Sequence, residues 1–454
     1  MKTLPYMLLY GILATCGLAV AEETANPRAG VSPQLQVYTS QHRVLVSEWL
    51  QLAHGVAEDP VPRFDRFDRH ASILLPSQRR KSWYLLGHGF YERGDFEAAQ
   101  AALARVDGRL PEEIRQDFTL LQAQVSLARG AHERAARLLE SLAGRRSASP
   151  YAQYNLAVAQ LRSGRQSQAI ETLEAMGGLN AESAEEEALR DQANITLGHL
   201  YLEQGKTREA RQALQRASHA GPYARQALLV LGWVEWQARN PRLAQSAWVE
   251  LLEDDPASPI TLEALSGVPH ALWRLESHTQ ARKKFDAAIT AYQEQIDRLD
   301  EIMEQADGPA WLSTLLADAS PQDLEAQTVW QRVRRSPLAP YLSVLVDDPG
   351  LRQALNRYLA LLRLNNLTAS APRLKADMEN TLGIAVTLPL DAGLAGDLQH
   401  LRQQIPNLLA RQGTRVRAQV LEVLARQRQQ LRQYLLDAQY ARARLLDELT
   451  DKKS

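Results

Sequence analysis

One pattern recurs along this chain about every 34 residues. It reads Leu-Gly, an aromatic three residues on, a second Gly, then a small residue, a Leu, another small residue and a Pro. The clearest copy is Leu197, Gly198, Tyr201, Gly205, Ala210, Leu214, Ala217 and Pro222. An earlier copy is Trp83, Leu86, Gly87, Phe90, Gly94, Ala99, Leu103 and Pro111, and a later one is Leu231, Gly232, Ala244, Trp248, Leu251 and Pro256. Between them, Gly130, Ala135, Leu139 and Leu142 mark one weaker unit, and Leu156, Ala157, Gly164, Ala169, Leu173 and Met176 another. The second glycines fall at 94, 130, 164 and 205, so the spacings are 36, 34 and 41; the long interval holds an acidic insertion, Gly177 to Glu187. In a fifth unit Arg239-Asn240-Pro241 stands where the glycine turn would be. A looser sixth has Leu272, Ala281, Phe285 and Ala288, followed by helix to about Ala306. A fixed period in this range requires one supersecondary unit stacked repeatedly, because each unit alone would leave an apolar face in water.

The residue types fit a pair of antiparallel helices. Gly or Ala in the first helix lets the second approach closely, and a small residue of the second sits at the crossing. Gly between them accepts positive φ, and Pro closes one pair or opens the next. Over residues 81–292 the chain is similar to the tetratricopeptide repeat (TPR) family. The resemblance implies an all-α, TPR-like α-α superhelical solenoid that binds protein partners and carries no chemistry of its own. It also implies that the first helix of each pair lines a concave groove. The positions concerned are Tyr84, His88 and Tyr91; Gln124 and Leu127; Tyr154, Asn155, Val158 and Arg162; His199 and Leu202; and Trp233 and Trp236. Of these, Leu127 and Leu202 suit a core position best. The candidate partner-binding groove is therefore Tyr84, His88, Tyr91, Tyr154, Asn155, Arg162, His199, Trp233 and Trp236. The Lys/Asn/Arg clamp by which some relatives hold a C-terminal carboxylate is not evident.

The two ends bound the setting. Met1-Lys2, an uncharged stretch from Leu4 to Ala21 and Ala19-Val20-Ala21 before Glu22-Glu23 predict a secretory signal cleaved after Ala21, hence a periplasmic protein. An uncleaved membrane anchor is the alternative, and Leu13-Ala14-Thr15 before Cys16 leaves lipoprotein processing as a third. Cys16 is the only cysteine, so a disulfide framework and Cys-based metal or nucleophile sites are excluded. Asn194-Ile-Thr and Asn366-Leu-Thr match the glycosylation triplet, but Asn194 falls inside a repeat helix.

Residues 22–80 read as a leader, a helix near Gln34–Ala53 and a connector or covering loop in which Pro60, Pro62 and Pro76 forbid one continuous helix. Residues 81–306 read as five to six helix pairs. Residues 307–454 read as a further helical region, with Thr381–Leu390 as a short extended segment. At its end lies a long amphipathic helix, with Val420, Leu424, Leu431, Leu435, Ala438, Leu445 and Leu449 on one stripe that must be buried somewhere. Asp397–Ser454 holds eleven Lys/Arg and six Asp/Glu, an excess of five positives. Arg411, Arg415, Arg417, Arg426, Arg428, Arg432, Arg442 and Arg444 supply most of it, interleaved as a solvated or interhelical pairing face would be.

Formal net charge is −1, which gives the whole chain no electrostatic reason to bind nucleic acid or acidic lipid. Gly87-His88-Gly89 with Gly94 lacks nucleotide-loop spacing and a preceding strand. The ten histidines include no pair three or four apart, so no metal is expected, and no cofactor or catalytic set can be assembled. Glu185–Glu187 and Glu253–Asp255 lie at turns and helix starts, where carboxylates favour the helix N-terminus. The composite expectation is a non-enzymatic periplasmic scaffold that binds a cell-envelope protein through its groove. The rival reading is a carbohydrate-binding accessory protein for polysaccharide or peptidoglycan export, with Trp233 and Trp236 stacking on sugar rings.

Overall fold

In the computed structural model, residues 40–56, 59–108, 110, 112–143, 149–253, 256–308, 311, 312, 316, 341, 348–382 and 392–451 are described. The signal segment at 1–21, the leader to residue 39 and most of the Thr381–Leu390 segment lie outside them. The described residues form helices and no strand.

Six helix pairs follow one another. Pair 1 is Pro76–Glu92 with Phe96–Leu103, pair 2 is Glu112–Ala128 with His132–Ala143, and pair 3 is Pro150–Arg162 with Gln166–Gly177. Pair 4 is Ala184–Glu203 with Thr207–Gln215, pair 5 is Ala224–Gln237 with Pro241–Glu250, and pair 6 is Pro259–Arg274 with His278–Asp307.

The turn inside each pair has one construction. In pair 1, Gly94 N–H donates to Tyr91 C=O at 2.8 Å and Asp95 N–H to Phe90 C=O at 2.8 Å. This is the double hydrogen bond of a Schellman motif, which needs a left-handed residue just past the helix. Gly94, Gly130, Gly164 and Gly205 take it at φ 73 to 79°. Arg239 (φ 62°) and Glu276 (φ 57°) hold the same place in pairs 5 and 6, with the same two bonds. The geometry thus persists where the glycine does not, at a steric cost to the Cβ. Replacing Arg239 or Glu276 by Gly is expected to raise stability by up to about 1 kcal/mol in urea unfolding, and Gly164→Ala to lower it by about 1 kcal/mol. A Cβ on Gly164 meets nothing within 4 Å, so backbone strain alone is measured there.

Crossings inside pairs follow a second register. A Cβ on Gly87 would lie 2.6 Å from Leu103, and one on Gly198 2.7 Å from Leu214. At Gly232 it would fall on the indole of Trp248. Each partner is sixteen residues on (87 to 103, 198 to 214, 232 to 248). Trp248 is also met from the next pair, where a Cβ on Gly267 would lie 2.5 Å from its ring. This fully buried indole therefore sits between two glycines.

Two compact units divide the chain. The first contains described residues 40–142, 348–382 and 392–420. Here the structure corrects the reading of the proline-rich connector. Pro60 and Pro62 precede a helix, Phe64–Ala71, and Pro76 opens the next one, so the prolines delimit a helix rather than make a loop. Its Phe64 and Phe67 are fully buried against Trp83, at ring distances of 5.2 and 5.0 Å. Buried Arg93 caps the C-terminus of the Ser40–Ala53 helix by donating to the carbonyls of Leu52 and Ala53. The C-terminal helices Pro349–Leu367 and Ala371–Leu382 pack on pair 1. Asn356 donates to Glu92 C=O, Arg357 pairs with Asp95 at 2.6 Å, and His54 meets Asp377 at 3.3 Å. Leu364, Leu374, Leu401 and Ile405 complete this core.

The second unit contains pairs 3 to 6, Tyr341 and residues 421–451. Asn194 is fully buried: its amide donates to Gly177 C=O at 3.1 Å, and its carbonyl accepts from Arg216 Nε at 2.8 Å. A glycan there is incompatible with this packing. Ser183 caps pair 4 by accepting from Glu186 N–H at 3.1 Å, with Glu185–Glu187 in the first turn, as a helix N-terminus favours. The final helix runs Ala392–Asp451, starting well before Thr414, and its first part belongs to the other unit. Its stripe is buried as patterned at Leu424, Leu431, Ala438 and Leu445, while Tyr434 and Ala441 join it and Leu435 and Leu449 are half-buried.

Candidate functional site

The register of the turns sets equivalent positions on the first helix of each pair. Six residues before the turn stand His88, Gln124, Val158, His199, Trp233 and His270. Three residues before it stand Tyr91, Leu127, Leu161, Leu202, Trp236 and Trp273. Most candidate groove residues fall at these positions, but their exposure differs widely.

In the first unit Tyr84 is half-buried against Phe118, 6.2 Å away. Burial, with Asp117 and Glu92 nearby, pushes its hydroxyl up to about 12. His88 Nδ1 lies 3.3 Å from Glu92 Oε1, both side chains about half exposed. Tyr91 packs on Phe96 at 5.8 Å.

In the second unit these positions are largely covered. Tyr154 is 4% exposed, belongs to the core with Leu173 and Leu197, and has its hydroxyl 3.5 Å from Thr196 Oγ1. Asn155 is 8% exposed, and its Nδ2 has no hydrogen-bond acceptor. His199 is 4% exposed with neither ring nitrogen hydrogen-bonded, and burial lowers its pKa to about 4, so it is a neutral ring. Tyr154, Asn155 and His199 are thus packed side chains rather than groove-lining ones, because neighbouring helices cover this face of pairs 3 and 4. Leu202 is likewise core and Leu127 half-buried. Arg162 is exposed.

Both candidate tryptophans are half-buried and engaged. Trp233 stands edge-on to Trp248 at 4.8 Å and donates from Nε1 to Glu263 Oε1 at 2.7 Å. The guanidinium of Arg274 lies 4.0 Å over the Trp236 ring and donates to Trp236 C=O.

The largest group that sequence reasoning missed lies in pair 6. Glu263 is 8% exposed, and burial raises its carboxyl to about 7 against the weaker opposing pull of the Trp233 hydrogen bond. Beside it the terminal helix lies on pair 6. Tyr434 stacks on Tyr292 at 5.6 Å, and Trp273 Nε1 donates to Glu448 Oε2 at 3.0 Å. Arg444 is 5.9 Å over the Trp273 ring, while Arg428 and Arg442 pair with Asp300 and Asp286. His270 and Trp273 had a sequence signal, since they share the positions of Trp233 and Trp236. Pro269 and Glu276 replace the two glycines of pair 6 and hid it. Nothing in the pattern marked Glu263. Among the described residues no group of three or more His, Cys, Asp or Glu is placed to hold a metal ion.

The family pattern for the tetratricopeptide repeat matches residues 120–180, 195–259 and 231–296, which fall within pairs 2 to 6. Residues 120–180 and 195–296 are tetratricopeptide repeats. Pair 1 lies outside those matches yet carries the same turn and crossing. No curated protein matches the sequence. Among solved structures it is similar to NprR in complex with its cognate peptide NprX, at 15% identity, over 67% of this chain and 98% of that one, with a TM-score of 0.32. At that score the likeness carries over neither arrangement nor ligand. No helix among the described residues is long and apolar enough to cross a membrane.

Proposed function

We propose that this chain is a non-enzymatic scaffold, exported to the periplasm, that holds a cell-envelope protein against the first helices of its repeats. The observation that carries the reading is the sixfold repetition of one turn, with one crossing register at Gly87, Gly198 and Gly232. It sets side chains at equivalent positions of the first helices, as in repeat proteins that bind partners along that face. Because Tyr154, Asn155 and His199 are packed, contact falls to the more accessible members: Tyr84, His88, Tyr91, Arg162 and Trp236. The location rests on the N-terminal pattern, Ala19-Val20-Ala21 before Glu22.

Sugar stacking has less support. A stacking platform needs a free ring face, whereas Trp233 packs on Trp248 and Trp236 is covered by Arg274.

A photo-crosslinking amino acid placed at His88, Arg162 or Trp236 in the full-length chain, expressed in its native cell, is expected to give discrete envelope-protein adducts by mass spectrometry. The mature chain is expected to begin at Glu22. Retention of residues 1–21 would overturn the cleavage, and adducts to cytosolic proteins alone would overturn the envelope reading.

A further inference from the structure

We infer that residues 421–451 act as a built-in helical ligand of pair 6, and that an amphipathic partner helix of the same chemistry takes their place. The inference rests on the scaffold reading above and names the class of partner that one of its faces accepts.

Three observations carry it. First, the terminal helix sits on the positions that define the candidate surface. Trp273, three residues before the turn, gives its indole N–H to Glu448, and His270, six before it, lies in the field of Asp437. Second, what lies beneath the helix is not what a permanent cap requires. Glu263 is buried there with a hydrogen bond from Trp233 and, among the described residues, no cation paired to it. A buried carboxyl of this kind disfavours the closed state, and aliphatic side chains would seal the same face more stably. Third, the polar contacts that hold the helix are at the rim. Arg428–Asp300 and Arg442–Asp286 have side chains 30 to 47% exposed, and such pairs contribute little each. The contact is therefore specific in geometry and weakly held by charge.

The cis helix also specifies the chemistry of its competitor. It presents an aromatic ring to Tyr292, small residues at Ala438 and Ala441, a buried Leu445 and an acid to Trp273 Nε1. A partner segment would carry an aromatic, small residues four and seven positions on, an apolar residue at eleven and an acid at fourteen. Such a helix lays one face along the repeat as a helix-in-groove ligand does.

The test uses the purified full-length chain and a fluorescein-labelled synthetic peptide of residues 421–454. In the variant Arg428→Glu/Arg442→Glu, new carboxylates face Asp300 and Asp286 and release the cis helix. Amide hydrogen exchange of residues 421–451 is expected to accelerate at least about tenfold while pairs 3 and 4 are unchanged. The peptide, which restores both arginines, is expected to bind this variant at least about tenfold more tightly than the wild type, because the cis competitor no longer fills the site. A peptide with Tyr434→Ala and Glu448→Ala is expected to lose that gain. Should charge reversal leave exchange unchanged, Leu445→Asp removes the apolar anchor; exchange still unchanged would show a fixed cap and overturn the inference. So would accelerated exchange without peptide binding. Since no cellular partner enters this assay, its failure is separate from a failure of the crosslinking experiment.

Discussion

Replacing Gly232 by alanine is expected to destabilise the second unit by about 1–3 kcal/mol, since the new methyl falls on the indole of Trp248. Trp248 has little room to yield. It is fully buried, its Nε1 donates to Leu229 C=O at 3.3 Å, and Gly267 of the next pair lies against its other side. Trp248→Ala is expected to cost about 3–5 kcal/mol by leaving a cavity where three helices meet. The two changes share one space, so the double variant should be markedly less unstable than the sum of the singles. Urea unfolding of all four proteins closes the cycle. Strict additivity would mean that the glycine and the indole do not meet, and would remove the physical account of the small-residue register.

Stability is expected to depend on pH through two buried groups of opposite sign. Glu263 has a carboxyl raised from 4.5 to about 7, mainly by burial, with Trp233 donating to it and Tyr292 and Tyr434 facing it. A carboxyl raised in the folded state contributes stability that is complete below 4.5 and is lost as pH rises through about 7. His199 is lowered from 6.5 to about 4, so its contribution is present above 6.5 and is lost as pH falls through about 4. Each shift corresponds to roughly 3 kcal/mol between the limits of its window. Glu263→Gln is therefore expected to flatten the decline between pH 4.5 and 7, and His199→Leu the decline on the acid side. Denaturation midpoints at several pH values check both. A wild-type profile from pH 4.5 to 7 that Glu263→Gln leaves unaltered would show that this carboxyl stays hydrated and ionised.

The repeat was legible because its rules are local. A small residue and its partner sixteen positions on appear in pairs 1 to 5: Gly87 and Leu103, Ala123 and Leu139, Ala157 and Leu173, Gly198 and Leu214, Gly232 and Trp248; in pair 6 Pro269 and Phe285 hold the same two positions. Both members of a couple lie within one helix pair, so nothing distant can alter the match. Pair 6 was harder to see because Pro269 and Glu276 are the wrong residue types at right positions. Its backbone makes the same turn, since the double hydrogen bond and the packing around it outweigh the cost of positive φ at Glu276.

The candidate site was legible only as a register. Tyr154 and Trp236 come from equivalent faces of their helices, yet one is core and the other half-buried under Arg274. A first helix presents that face in every pair. Whether solvent, a neighbouring helix or a returning C-terminal segment meets it is fixed by contacts between residues far apart in the chain. Glu263 is the extreme case. Alone it reads as an ordinary helical glutamate, and it is buried among groups from other helices, with Trp233 donating to it and Tyr434, more than 170 residues later, interacting with it.

By itself, then, the sequence determined the helix pairs, their turns and their crossings, because these depend on side-chain size and backbone freedom within some thirty residues. Tertiary structure alone decided that Pro349–Leu382 lies on pair 1, that residues 421–451 lie on pair 6, and hence which ring, imidazole and carboxylate of the repeat face remain in reach of a partner. The physical reason is that burial and titration depend on what covers a group, and the covering segments here come from the other end of the chain.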